Sequence, residues 1–164
     1  LLYIEVGKRL EVPLVGVGMP GHFMVRHREV EDLFIDPFHG GLLLSEEECS
    51  QRLSQVTGAI VPWDSRYVAP VAKREFIARV LRNWKAIYMA QGDSSRALTM
   101  IDWLLALQPQ AVHERRDRGL VHYELGHYSQ ALDDLQGYLD STPDSSDSEQ
   151  LRELVSQLRR FLEG

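Results

Sequence analysis

The sequence predicts an α+β front half followed by an all-α half built of helical hairpins, and three observations lead to this prediction. Short extended apolar runs, separated by glycine and polar residues, lie between residues 12 and 35. A capping pattern, Ser45 followed three residues later by Glu48, predicts the start of a helix after them. From residue 71 onward the apolar residues recur at helical spacing, and several recur again at one fixed, longer interval.

The front half is predicted to contain a short helix, three strands and a second helix. Residues 1–10 carry apolar side chains at roughly helical spacing, and Pro13 ends this helix because proline disfavours the helical conformation of the residue before it. Extended segments are predicted at 12–17, 23–26 and 33–35, and a capped helix at 46–58. Because the chain opens on Leu1 rather than on methionine, inside an amphipathic helix, we expect a fragment whose preceding residues are absent.

The second half contains an internal repeat. The pairs that recur at one spacing are Gly92 and Gly126, Ala97 and Ala131, Leu98 and Leu132, Leu105 and Leu139, and Pro109 and Pro143. Their spacing is the period of about 34 residues that is typical of the tetratricopeptide unit. In that unit glycine ends the first helix, alanine allows close helix approach and proline closes the second helix. After a polar break at 141–148, apolar residues on one face predict a final capping helix.

The expected organisation is an α+β domain over 1–58, a linker over 59–70 and helical repeats with their cap over 71–164. The linker is predicted because residues 59–70 show no hydrophobic period and include Pro62 and Pro70. Two repeats fall short of the three that a free-standing solenoid needs, so we expect the two halves to pack together. The residues expected at the junction or on inner helix faces are Trp63, Trp84 and Trp103.

Composition and charge exclude several classes of function. The chain has 164 residues, of which 44% are hydrophobic and 26% charged, as in an ordinary globular protein. A net charge of -6 argues against binding to a phosphate backbone, so nucleic acid is not an expected partner. The single cysteine, Cys49, excludes an internal disulfide and a cysteine-rich zinc site, and no apolar run is long enough to cross a bilayer. We therefore expect a cytoplasmic protein with no membrane partner, no metal and no cofactor.

His22 and Asp36 stand at the outer ends of two apolar runs that are predicted to form a β-hairpin. With the hairpin centred near Glu29, the numbers of facing residues sum to 58. The facing pairs are then Val25 with Leu33, Phe23 with Ile35, and His22 with Asp36. The buried face on this register consists of Phe23, Val25, Leu33 and Ile35. Facing Cβ atoms lie about 4.5 to 5.5 Å apart, so the imidazole and the carboxylate can hydrogen-bond unless the register slips by one residue.

A histidine oriented by a carboxylate is the base of a nucleophilic site. The carboxylate fixes one ring nitrogen, and the other nitrogen takes a proton from a thiol or hydroxyl. The alternative is a structural hydrogen bond between neighbouring strands. Cys49 lies inside the capped helix, where the sequence gives no reason for it to face His22, so we assign it no role.

The motifs Pro20-Gly-His-Phe and Ile35-Asp-Pro-Phe, within the stretch from Leu1 to Ser45, resemble the SirB family of transglutaminase-like proteins. Members of that family join such a domain to C-terminal tetratricopeptide repeats, so the resemblance covers nearly the whole chain. It implies an α+β transglutaminase-like (papain-like) partial domain followed by all-α tetratricopeptide helical hairpins. By this resemblance His22 and Asp36 match the catalytic base and orienting positions, and the nucleophile position falls a few residues upstream of Leu1.

Two functions are compatible with these patterns. One is an acyl transferase or peptidase-like enzyme with a Cys/Ser-His-Asp site, acting on a protein or peptide that the helical repeats bind. The other is a non-catalytic interaction scaffold or regulatory protein with a degenerate site, whose helical repeats recruit a peptide.

Other histidines give weaker signals. His122 and His127 are five residues apart with Gly126 between them, which is not the spacing that places two imidazoles on one helical face. His39, beside Gly40, is expected in a tight turn near Asp36, where it could line a pocket.

Overall fold

A computed structural model describes residues 2–58 and 61–164. The chain divides into two compact units, Leu1–Phe76 and Ile77–Gly164. The elements of the first are α1 (Leu2–Arg9), β1 (Leu14–Val17), β2 (Met24–His27), β3 (Phe34–Asp36), β4 (Leu42–Leu44) and α2 (Glu46–Thr57), with 3₁₀ turns at Pro37–His39 and Ser65–Val68. The helices that follow are α3 (Lys73–Ala90), α4 (Ser94–Leu107), α5 (Val112–Glu124), α6 (Tyr128–Ser141) and α7 (Ser148–Glu163).

Two parts of the sequence prediction fall on residues that are not described. Leu1, where the first helix was expected to begin, lies outside the described residues, as do residues 59 and 60 at the start of the expected linker. In the rest of that stretch, Val68 is 4% exposed and belongs to the core of the first unit. The expected domain bounds at 58 and 71 stay a prediction.

The four strands form one antiparallel sheet in the order β1-β2-β3-β4. In the β2–β3 ladder Val25 faces Ile35 and Arg26 faces Phe34, so the facing numbers sum to 60. The predicted register, with a sum of 58, is therefore wrong by two residues. β4, which pairs Ile35 with Leu43, was not predicted from the sequence.

The sheet face that carries Met24 and Phe34 is covered by α2. These two side chains are 0% and 2% exposed and join a cluster with Val17, Met19, Leu44, Cys49, Leu53 and Val68. The prediction that this face would be the less buried one is wrong, because Met24 and Phe34 are fully packed, whereas Leu43 on the opposite face is 58% exposed. On the opposite face Phe23 packs against Phe76, with ring centroids 4.2 Å apart.

The sequence-predicted capping box places α2. Ser45 Oγ accepts the backbone N–H of Glu48 at 3.2 Å, and Glu48 Oε2 accepts the backbone N–H of Ser45 at 2.7 Å. The helix ends at Gly58, whose φ of +65° closes it in the left-handed conformation. These two ends fix which residues of α2 face the sheet.

The second unit has the architecture of tetratricopeptide hairpins. α4 and α6 occupy equivalent positions in successive repeats, and Ala97 and Ala131 are both fully buried where helices approach closely. The core shared by α6 and α7 contains Ala131, Leu135, Tyr138, Leu139, Leu151, Val155 and Leu158. Trp84 and Trp103 are 47% and 55% exposed, so neither is buried on an inner helix face. The alternative expectation, that they lie at the junction, stays a prediction.

Candidate functional site

Asp36 is the last residue of β3, and its carboxylate is anchored by the turn that follows. Its Oδ1 accepts the backbone N–H groups of Phe38 and His39 at 3.0 and 3.2 Å. Pro37 at the first position of this turn has no N–H to satisfy, which suits the start of a helical turn. Asp36 is 0% exposed, and its second oxygen, Oδ2, is left to face other side chains.

His22 lies in the turn before β2 and faces Asp36. Its Nε2 is 2.9 Å from Asp36 Oδ2, and the residue is 9% exposed. The two-residue error in the predicted register did not separate this pair, because side chains alternate with a period of two and an even slip keeps both on one face. The turn requires Gly21, whose φ is +69° and whose added Cβ would lie 2.7 Å from Val56 Cγ1.

The approach of His22 to Asp36 is close but imperfectly aligned. Nε2 of His22 is buried and makes no hydrogen bond of good geometry, although Oδ2 is within reach. With Nε2 turned toward the carboxylate, Nδ1 is the ring nitrogen left to exchange a proton. Phe38 meets the His22 ring edge to face at 6.2 Å and is 84% exposed, so an apolar surface lies beside the imidazole.

His39 and Arg52 complete the surroundings of the carboxylate. His39 Nδ1 lies 2.8 Å from the same Oδ2, and Arg52 Nε lies 3.9 Å from it. Burial acts to raise the pKa of Asp36, but the contacts with His22 and His39 outweigh it and hold the pKa below its ordinary value. The carboxylate is therefore ionised at neutral pH.

Sequence reasoning placed His39 near Asp36 but did not predict that it shares the carboxylate with His22. The local signal is the Asp-Pro-x-His spacing, because a one-turn 3₁₀ helix brings residue i+3 back over residue i. Arg52 was missed altogether. It reaches Asp36 only through the tertiary placement of α2, for which the sequence contains no local signal.

Cys49 is close to this site in the fold but is not activated. It is 0% exposed, with its Sγ 3.8 Å from Met24 Sδ. Burial, together with the nearby carboxylates of Asp32, Glu46, Glu48 and Asp36, raises the pKa of its thiol to about 12. A thiol in such surroundings is protonated and unreactive at neutral pH.

His122 and His127 meet although their spacing argued against it. Their Nδ1 atoms are 3.2 Å apart. The helix α5 ends at Glu124, and in the turn that follows the backbone N–H of His127 donates to the carbonyl of His122 at 2.9 Å. This turn brings the two rings together. Burial and the neighbouring Arg118 and His127 lower the pKa of His122, although Asp134 and Asp102 act to raise it. Among the described residues, the group of three or more potential metal ligands is His22, Asp36 and His39.

Comparison with known proteins identifies both halves of the chain. A family model described as the transglutaminase-like superfamily matches residues 1–82, and one described as a tetratricopeptide repeat matches residues 84–156. The resemblance and the fold class expected from the sequence are thereby confirmed. Among the described residues, no helix is long and apolar enough to span a membrane.

Relatives in several bacteria match almost the whole chain. The UPF0162 protein of Xylella fastidiosa is 38% identical over 157 residues, which cover 93% of this chain and 56% of that protein. Protein SirB1 of Salmonella typhimurium is 26% identical over 170 residues, covering 96% of this chain and 59% of SirB1. The UPF0162 protein YchA of Escherichia coli is 28% identical over 160 residues, covering 93% and 57% respectively. The chain thus spans less than two thirds of the length of these relatives.

A solved structure supports the helical fold. The C-terminal TPR-containing domain of the FK506-binding protein PFL2275c of Plasmodium falciparum matches with a TM-score of 0.50 and 16% identity, covering 73% of this chain and 81% of that domain. At this level of identity the likeness concerns the fold alone.

Proposed function

Since the chain belongs to the SirB family of transglutaminase-like proteins with tetratricopeptide repeats, we propose that it supplies the base and the orienting carboxylate of an acyl-transfer site acting on a protein or peptide. The observation that carries this proposal is the buried contact between His22 Nε2 and Asp36 Oδ2 at 2.9 Å. The anchored Oδ1 holds the carboxylate so that its other oxygen faces the imidazole.

The family resemblance implies that the nucleophile is a cysteine or serine that precedes Leu1 in the full-length protein. Cys49 is unsuitable because it is buried and its pKa is raised to about 12. The relatives are long enough to supply another nucleophile, since the match covers only 56% of the Xylella protein. A nucleophile at the start of a helix is activated by the positive end of the helix dipole.

In the first half-reaction the nucleophile attacks the carbonyl carbon of an amide or ester, and Nδ1 of His22 takes its proton. The tetrahedral intermediate then breaks its bond to the leaving group, which receives that proton from His22 and departs as an amine or alcohol. Water or a second amine attacks the acyl-enzyme, gives its proton to His22 and releases the acyl group, and His22 returns the proton to the nucleophile. Asp36 stabilises the imidazolium at both stages.

The surroundings of His22 suit an extended peptide. Phe38 offers an exposed apolar face beside the imidazole. The helical repeats would hold a more distant part of the same protein or peptide, as helical solenoids hold ligands on extended surfaces. The single cysteine, buried and reduced, is in keeping with a cytoplasmic location.

The test uses the full-length protein and a panel of activated acyl esters and glutamine-containing peptides with a fluorescent amine. His22→Gln should lower kcat by at least ~100-fold because it removes the general base. Asp36→Asn should lower kcat by at least ~100-fold because it removes the carboxylate that orients the base and stabilises the imidazolium. His113→Gln is the matched control, since His113 is an exposed histidine of α5. Turnover that survives His22→Gln unchanged would overturn the proposal.

The second candidate is a non-catalytic scaffold, and the misaligned Nε2 of His22 favours it. A groove of about 260 Å³ between α5, α6 and α7 offers a place for a peptide. Its lining is mostly apolar and aromatic: Tyr123, Tyr128, Gln157, Leu158 and Phe161. Peptide binding that is lost in Phe161→Ala, together with no turnover of any acyl substrate, would support the scaffold and exclude the enzyme.

A further inference from the structure

Three potential metal ligands converge in the first unit. Nε2 of His22 and Nδ1 of His39 lie 2.9 and 2.8 Å from the same oxygen, Oδ2 of Asp36, and all three atoms lie within 4.8 Å of one another. The geometry points to a binding site for a divalent first-row transition metal ion, of the Zn²⁺ class, held by these three atoms. This site does not depend on the acyl-transfer function.

The strongest indication is the poorly aligned nitrogen of His22. Nε2 is buried from solvent and makes no hydrogen bond of good geometry, although a carboxylate oxygen is 2.9 Å away. A buried polar atom whose hydrogen bond is poorly aligned recovers only part of the free energy lost on leaving water. A metal ion would satisfy Nε2. In a neutral imidazole with its proton on Nδ1, the lone pair of Nε2 would point at the ion, and no N–H would need to point at the carboxylate oxygen.

The spacing of the ligand atoms fits coordination after a small expansion. Zinc binds imidazole nitrogen and carboxylate oxygen at about 2.0–2.2 Å, so ligand atoms in a tetrahedral site lie roughly 3.3–3.6 Å apart. The two observed nitrogen–oxygen distances are 2.9 and 2.8 Å. His39 can move outward to accept an ion because its side chain is 44% exposed, and this exposure also provides a path of entry.

The surroundings hold the carboxylate ligand in place. Asp36 Oδ1 accepts two backbone N–H groups, which is the outer-shell support that orients a ligating carboxylate. Two imidazoles and one carboxylate favour transition metals over Mg²⁺ or Ca²⁺, which prefer all-oxygen ligands. Arg52 Nε, 3.9 Å from Oδ2, is a positive charge that opposes a cation. Removing that charge should therefore strengthen binding.

A bound ion and a working catalytic base exclude each other. The ion would occupy both Nε2 of His22 and Oδ2 of Asp36, so Asp36 could no longer orient the imidazole. The metal-bound form would therefore be inactive in acyl transfer, and the ion would act as an inhibitor of that site.

The test is titration of the 164-residue chain with Co²⁺ and Zn²⁺ after treatment with a chelator. It should be made in a His122→Gln background, because the His122 and His127 pair, 3.2 Å apart, is the other place where imidazoles could take an ion. Co²⁺ reports its coordination by visible absorption, and Zn²⁺ binding is measured by calorimetry. We expect one ion per chain and an absorption spectrum that Zn²⁺ abolishes by competition.

The variants separate ligands from bystanders. His39→Gln should weaken metal binding by at least ~100-fold, because loss of a direct ligand should cost no less than loss of an outer-shell partner. The fold should remain intact, because the His39 side chain is partly exposed. His22→Gln should have the same effect, His113→Gln should have none, and Arg52→Gln should tighten binding severalfold. Circular dichroism of each variant checks that it is folded.

Absence of stoichiometric Co²⁺ binding in the parent would overturn the metal site, as would equal affinity in folded His39→Gln and the parent. Neither result bears on acyl transfer, which is tested by turnover in a chelator. Conversely, a protein that binds Zn²⁺ through these residues but turns over no acyl substrate would retain the metal site and lose the proposed activity.

Discussion

Arg118 of α5 and Asp134 of α6 form two parallel hydrogen bonds, Nε to Oδ2 at 2.6 Å and Nη2 to Oδ1 at 2.7 Å. Asp134 is 7% exposed, whereas the side chain of Arg118 is 30% exposed. The hydrogen bonds from Asp134 raise the pKa of Arg118 although burial acts to lower it. The pair therefore joins the two helices of one hairpin through a buried carboxylate that depends on its partner.

Arg118→Met should lower the free energy of unfolding by about 3 kcal/mol, because it leaves that carboxylate buried without its partner. Arg118→Met/Asp134→Leu should recover most of the loss, since no charge then remains buried. Arg96→Met is the control, because Arg96 pairs with Asp93 at 3.4 Å with its side chain 68% exposed. The loss in that variant should stay within about 1 kcal/mol. Urea unfolding measures all three, and equal losses for Arg118→Met and Arg96→Met would contradict the prediction.

Gly119→Ala should destabilise the second unit by about 1–3 kcal/mol through overpacking. A Cβ at Gly119 would lie 2.8 Å from Leu135 Cγ and 3.2 Å from Asp134 Cβ, where α5 and α6 approach each other. Gly137 of α6 provides the matched control, because a Cβ there meets only the flexible side chain of Arg115, at 3.2 Å from Nη1. Gly137→Ala should be neutral or stabilise by up to about 1 kcal/mol, from helix propensity alone.

Thermal and urea unfolding of the two alanine variants give the comparison. Gly119→Ala should lower stability, whereas Gly137→Ala should leave it unchanged or raise it. A Gly119→Ala variant as stable as the parent would mean that the hairpin can open at this point without cost.

The elements of the fold and the residues of the candidate site could be predicted from the sequence to different degrees. The start of α2 followed from Ser45 and Glu48, because a capping box is a local interaction that the sequence displays directly. The repeats were equally visible, since the pattern of one helix pair occurs twice at a fixed interval. Such elements depend on contacts between residues close in sequence, and these are what a single sequence reports.

The β2–β3 register is different, because the turn sets it. His27 Nδ1 accepts the backbone N–H groups of Glu29 and Val30, and Asp32 adopts a φ of +53°. Neither feature follows from a familiar turn signal such as Asn-Gly. The pair of His22 and Asp36 was nevertheless predicted, because the error was an even number of residues. Arg52 depends on how α2 lies on the sheet, which is a tertiary effect.

Cys49 should be inert to thiol reagents in the folded protein. Its side chain is fully buried and the pKa of the thiol is raised to about 12, so almost no thiolate is present at pH 8. Reaction with a disulfide reagent at pH 8 should follow the rate of unfolding, and it should become immediate in denaturing urea. Rapid labelling of the native protein would contradict this and would reopen Cys49 as a nucleophile.

The stability of the first unit should depend on the ionisation of Asp36 at acid pH. Burial raises the pKa of Asp36, but its contacts with His22 and His39 hold it below the unfolded value of about 3.9. A carboxyl whose pKa is lower in the folded state stabilises the fold above the unfolded pKa. That contribution is lost as the pH falls through about 3.9 toward the folded pKa.

The measurement is the free energy of unfolding of the parent and of Asp36→Asn between about pH 5 and pH 3, in a chelator so that no ion occupies the site. Asparagine preserves the acceptor for the backbone N–H groups of Phe38 and His39 but cannot ionise. All other carboxylates are common to both proteins, so the difference between the two curves reports Asp36. The parent should lose stability more steeply than Asp36→Asn over this range. Parallel curves would mean that the contacts with His22 and His39 do not favour the ionised carboxylate, and the orienting role of Asp36 would then lose its physical basis.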